Sequence, residues 1–345
     1  MMKFKSAILQ KINKPLILQD FNISKLKRGQ VLVKIFYSGI CRSQIMEMRG
    51  KRGKDKWLPH GLGHEGSGVV MKVGPGVSKV KLGDEVILSW IKGKGIETGG
   101  FKLKNLKNKT VNFGPVTTFS NYSIISENRI FLKPKNLSFK ESVLYGCAIP
   151  TGSGIVFNET ELNKKEKILI IGVGGIGLSC LLALISKKMK NIYILEKNKK
   201  KLDIIRNFKF PGVKIYNKKD KINFDYCFEC SGKAEMIEYG IKKIKKNGKI
   251  IFASHPPSKK KIEIDPHELI SGKSISGTWG GSSNLDKDIN KFNKFFRKNR
   301  ISLKVFFSKV YKLDKINNAF KDLENGNILR ALVKMDHWIW KVKLF

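Results

Sequence analysis

The run KILIIGVGGIGLSCLLALISKK, residues 167–188, limits the possible folds of this chain more than any other stretch. It begins as a short continuous apolar run, passes through GVGGIG, and continues with apolar residues at helical spacing. NIYILE (191–196) reads as the next strand, followed by a Lys-rich helix, the strand FDYCFECSG (224–232), another helix, and GKIIFAS (248–254). Strands that alternate with helices build right-handed βαβ units on a parallel sheet.

The hexapeptide matches G-x-G-x-x-G through Gly172, Gly174 and Gly177, with Gly175 inside it. It has the strand before it and the helix after it that the dinucleotide-binding motif requires. Gly172 makes the tight turn, Gly174 lets backbone approach a pyrophosphate, and Gly177 lets the helix lie close on the sheet. The helix N-terminus offers free N–H groups and a positive dipole to the phosphates. Glu196 follows Gly177 by 19 residues. A carboxylate there accepts hydrogen bonds from ribose hydroxyls and repels a 2′-phosphate, which favours NAD over NADP. Lys197 and Lys199 to Lys201 act against that repulsion.

Residues 1–150 have a different texture. VLVKIFYSGI (31–40), GSGVVMKVG (66–74) and KLGDEVILSW (81–90) are β-branched runs bounded by glycine turns. Residues 91–118 show little periodicity and read as a long surface excursion. Beyond about 282 a helix, a strand and a second helix (DKINNAFKDLENG) follow, and no role is assigned to DHWIWKVKLF at the end.

A net charge of +40 raises the question of nucleic acid. The excess is mostly Lys and runs from end to end, whereas a nucleic-acid groove concentrates Arg with interleaved aromatics. No nucleic-acid partner is expected. No window reaches the roughly 20 apolar residues of a membrane span, and charges break up the N-terminal segment, so no membrane partner and a cytoplasmic location are expected. Five cysteines without regular spacing do not form a disulfide framework.

A nucleotide fold does not name the chemistry. GLGHEGSGVV (61–70) puts His64 beside Glu65 among four glycines, and the pair suits a metal site, an acid/base pair or a hydrogen-bonded loop. Cys41 in GICRSQ and Cys147 in YGCAIPTG also adjoin glycine turns. Two thiolates and an imidazole make a zinc site with one position open, although spacing this wide does not prove convergence.

GHEGSGVVMKVGPGV (63–77), with these cysteines and the glycine motif, resembles the zinc-dependent medium-chain alcohol dehydrogenase family. The likeness runs to about Met335. It implies an α/β chain: a GroES-like β-barrel catalytic domain over 1–150, completed by 283–345, and a Rossmann doubly wound parallel sheet over 151–282. It implies zinc on Cys41, His64 and Cys147, with Glu65 as a near ligand. Arg42 and Arg330 would meet the coenzyme pyrophosphate, Ser43 the substrate oxygen, Thr151 the nicotinamide and Lys201 the adenosine ribose. It further implies a small-molecule alcohol or aldehyde substrate and a homodimer or homotetramer.

Three departures from that family matter. Gln44 stands where a carboxylate usually orients the ligand histidine. Met46 stands where many members carry a proton-relay histidine. Residues 91–118 contain no cysteine, so no structural zinc is expected there. His60 reads as a turn histidine. His255, His267 and His337 read as structural. Cys180 reads as packing, and Cys227 and Cys230 as a C-x-x-C without metal, because positions three apart on a strand face opposite sides. Trp90 is weighed evenly between the substrate pocket and the core. A zinc-free quinone or enone reductase of the same fold is the second reading, and a nucleic-acid-binding protein the third.

Overall fold

The computed structural model describes residues 3–336; His337 and the segment after it lie outside the described residues. The apolar run at 168–171 becomes the first strand of a six-stranded parallel sheet, Ile168–Ile171. The other strands are Ile192–Leu195, Val213–Ile215, Phe224–Glu229, Ile244–Phe252 and Ser274–Gly277. Counted in chain order, they lie 3-2-1-4-5-6 across the sheet, the doubly wound arrangement, and every pairing is parallel. Ile168, Leu169 and Ile170 are fully buried because helices cover both faces, and each such side chain contributes about 1.5–3 kcal/mol of apolar burial. Cys227 and Cys230 lie in different packing clusters, Cys230 beside Cys180, in keeping with opposite faces.

Two further sheets are built mainly from the N-terminal part of the chain, one of five strands and one of seven. In the larger, Gln30–Ile40 pairs antiparallel with Glu65–Val73, which pairs with Glu85–Ser89. The glycines of GLGHEGSGVV are there because backbone crowds them: a Cβ on Gly68 would lie 2.0 Å from the Lys34 carbonyl oxygen, and Gly63 has φ +100°. The chain returns to this sheet at Lys309–Lys312 and then at Ala331–Lys334, which pairs with the far end of Gln30–Ile40.

The segment 91–118 departs from expectation. It carries a hairpin, Phe101–Lys104 and Thr110–Phe113, at the edge of the five-stranded sheet. Leu103, Val111 and Phe113 pack on Phe4, Ile8 and Phe21. Apolar packing holds this segment. Among the described residues no helix is long and apolar enough to cross a membrane.

Glu229, at the C-terminal end of its strand, is fully buried. Its carboxylate accepts from the Ser231 N–H at 2.7 Å and from the Ser231 hydroxyl. Burial outweighs these bonds and pushes its pKa up to about 7. An acid raised in the folded state holds its proton there after the unfolded chain has released it. Stability therefore falls as pH rises from the ordinary carboxylate range to about 7, by on the order of 3 kcal/mol, and is level above that. Glu229→Gln is expected to lose this dependence. Urea unfolding of both proteins at acid and neutral pH checks it: parallel pH curves would contradict the assignment.

Candidate active site

Strand register brings the three candidate ligands together. Ser38 opposes Gly66, so Cys41, just past the end of one strand, comes beside His64, just before the start of the other. Glu65 opposes Ser89, whose hydroxyl donates to the Gly146 carbonyl at 2.6 Å and draws in Cys147. One ligand atom each from Cys41, His64 and Cys147 lies within 4.8 Å of the others.

The electrostatics suit a cation. A hydrogen bond with Cys147, aided by His64 and Arg330, holds the Cys41 thiol well below the usual range despite burial, so one sulfur is poised as thiolate. His64 Nε2 is buried with no hydrogen-bond partner among the described residues. A buried imidazole nitrogen without a partner is costly unless something coordinates it. Gln44 is buried with its Oε1 also unpartnered among the described residues.

Beside the ligands lies a cavity of about 200 Å³, walled by Ser43, Met46, Trp90, Thr151, His255 and Trp279 among others. The Ser43 hydroxyl is buried without a partner among the described residues, and Thr151 donates to the Cys147 carbonyl at 2.9 Å. Trp90 is a wall residue, with the Trp279 ring 5.1 Å away at 88°. A second cavity, about 550 Å³, shares His64, Trp90 and Arg52 with the first.

A third cavity, about 640 Å³, opens at the carboxyl ends of the first and fourth parallel strands, where the strand order reverses. Arg42, Gly172, Gly174, Gly175, Glu196, Lys201 and Arg330 line it. Gly172 has φ +85°, and a Cβ on Gly177 would lie 2.0 Å from the Gly172 oxygen. A Cβ on Gly174 would meet nothing within 4 Å, so that backbone faces open space. The Glu196 carboxylate accepts from the Val173 N–H at 3.1 Å and the Asn198 N–H at 2.9 Å. Burial lowers the Lys201 pKa, and Glu196 opposes the shift.

Glu65 is turned to Arg330, which donates to its Oε1; both are buried, and Glu65 Oε2 has no partner among the described residues. His60 differs from the turn residue expected. It is buried in a two-residue strand, with Nε2 2.8 Å from Asp55. His255 differs too: it is a wall residue of the 200 Å³ cavity. Arg52, His255 and Trp279 were the wall residues that spacing alone did not mark, although TWGG, aromatic between polar and glycine positions, was a legible signal.

The family model described as the alcohol dehydrogenase GroES-like domain matches residues 27–135. An S-(hydroxymethyl)glutathione dehydrogenase of Komagataella pastoris is 26% identical, with 96% of this chain and 98% of that protein covered. One from Escherichia coli (strain SMS-3-5 / SECEC) is 25% identical over 96% of this chain and 100% of its own. Among solved structures, benzyl alcohol dehydrogenase from Acinetobacter calcoaceticus superposes with a TM-score of 0.84 at 23% identity, covering 97% of this chain and 100% of that one. An alcohol dehydrogenase zinc-binding domain protein from Burkholderia ambifaria gives 0.86 at 21%, with the same coverage. The fold is therefore a GroES-like barrel joined to a Rossmann sheet.

Proposed function

We propose, because the chain resembles alcohol dehydrogenases over nearly its whole length and its residues 27–135 match their GroES-like domain, that it interconverts an alcohol and its aldehyde or ketone with NAD(H). The observation that carries this reading is the convergence of Cys41, His64 and Cys147 beside a cavity that adjoins the nucleotide cleft. Two sulfurs and an imidazole fit zinc, and the orphaned His64 Nε2 supports that fit. Zinc held there lowers the pKa of an alcohol, and NAD accepts the hydride.

The chain's own residues do the rest. Ser43 offers an unpartnered hydroxyl to the substrate oxygen. Thr151 sits on the same wall, where it bounds the space for a nicotinamide. Arg42 and Arg330 bring positive charge to the pyrophosphate beside the helix Gly175–Ser186, whose N-cap Gly174 and first residue line the cleft. Arg330 pairs with the buried Glu65 carboxylate next to His64 and supplies its counter-ion. The second cavity, which shares Trp90 and Arg52 with the first, suits alcohols that extend well past the carbinol carbon. A cytoplasmic dimer or tetramer belongs to the same reading.

Metal analysis is expected to find about one zinc per chain. A screen of alcohol classes, read by NADH absorbance, is expected to find turnover that a chelator removes. Turnover that survives complete loss of metal would favour hydride transfer to a conjugated carbon instead.

Glu196 sets the coenzyme preference in this reading. Glu196→Ala is expected to move the ratio of kcat/KM for NAD over NADP toward NADP by about tenfold or more, since one like-charge repulsion of about 1.4 kcal/mol is worth that factor. An unchanged ratio would mean that Lys197 and Lys201 already neutralise the carboxylate.

A further inference from the structure

Oxidation of an alcohol by NAD releases a proton, and the cavity has to pass it on. Of the titratable groups on the wall of the 200 Å³ cavity, Cys41, His64 and Cys147 are the candidate metal ligands. Arg42 and Arg52 carry guanidinium groups, which have donors but no acceptor for a proton. Met46, on the same wall, has no proton to exchange. Among the described wall residues that leaves His255, on the loop just past the strand Ile244–Phe252. Its ring stands edge-on to the Trp279 indole, centroids 6.1 Å apart at 78°, and the residue is exposed, so it borders both cavity and solvent.

Resting on the reading given under Proposed function, we propose that His255 receives the proton the alcohol loses and delivers it to solvent. The carbinol C–H bond breaks with its electron pair going to NAD, giving NADH. The O–H bond breaks, its pair forms the carbonyl, and the proton passes by way of Ser43 and water to an imidazole nitrogen. In the reverse direction the imidazolium supplies that proton. Partial burial and the facing Arg52 cation hold the His255 pKa below its ordinary value, while Cys41 pulls it upward, so the ring is neutral and able to accept at neutral pH.

The test uses zinc-loaded wild type, His255→Gln and Arg52→Gln, with benzyl alcohol and 1-butanol as probes and NAD as coenzyme. His255→Gln is expected to lower kcat by about 100-fold, remove the acid inflection from its pH profile, and regain activity in imidazole buffer. Zinc content and NADH binding by fluorescence are expected to stay as in wild type. Without turnover, histidine NMR gives an independent reading: the signal missing in His255→Gln is expected to titrate below about 6.5 and to move upward in Arg52→Gln. If wild type turns over and His255→Gln keeps both its kcat and its pH profile, the proposal is overturned while the dehydrogenase reading stands. A loss of kcat that imidazole does not rescue, with the inflection still present, also overturns it. Wild type that binds zinc and NADH yet oxidises no alcohol removes the dehydrogenase reading, and this proposal with it.

Discussion

Cys147→Ala is expected to reduce turnover by about 10³-fold or more while leaving NADH binding intact. The substitution removes one of three ligand atoms that lie within 4.8 Å of each other. A Lewis acid contributes several kcal/mol to alkoxide formation, which sets the size of the loss. The fold should tolerate the change. Cys147 makes no side-chain cap to the helix Ala148–Asn158, and the glycine turn and Glu196 lie elsewhere. Zinc content, NADH fluorescence and kcat measured together check this. Wild-type turnover in the variant would show that the three residues do not hold the working metal.

The second large effect is on stability. Arg330→Met leaves the Glu65 carboxylate buried with no counter-ion, and an uncompensated buried charge of this kind costs about 3–5 kcal/mol. Adding Glu65→Gln to the same chain is expected to recover most of the loss, because the buried charge is then gone. Denaturant unfolding of the zinc-loaded wild type, the single variant and the double variant separates the two. A single variant as stable as wild type would show that zinc, and not Arg330, neutralises Glu65.

Much of this was legible before any coordinates. Period and punctuation gave the parallel sheet, because a buried strand such as Ile168–Ile171 is apolar at every position and its glycine turn has a sterically forced composition. The ligand candidates were legible as residue types beside turns. Their convergence was not, since it depends on the register of Gln30–Ile40 against Glu65–Val73, and register is a property of pairs of strands. The hairpin at 101–113 was missed for a different reason. Its strands are four residues each, and their alternation, Phe101 and Leu103 in one and Val111 and Phe113 in the other, is short against a Lys- and Asn-rich background. His255 gives no functional signal in the sequence because a cavity wall carries no sequence period.

Arg330 immediately precedes Ala331–Lys334, and that strand pairs with the end of Gln30–Ile40 next to Cys41. A ribosome extending the chain at roughly 5–20 residues per second has therefore made nearly every other described element before Glu65 can acquire its counter-ion. Until then the early barrel harbours a lone anion in a site meant to be dry, and hydration of that anion opposes closure of the barrel around it. Closure of the Glu65–Arg330 pair is thus a late event in chain growth, and a product lacking Arg330 and the strand after it would carry Cys41, His64 and Cys147 but no counter-ion for Glu65.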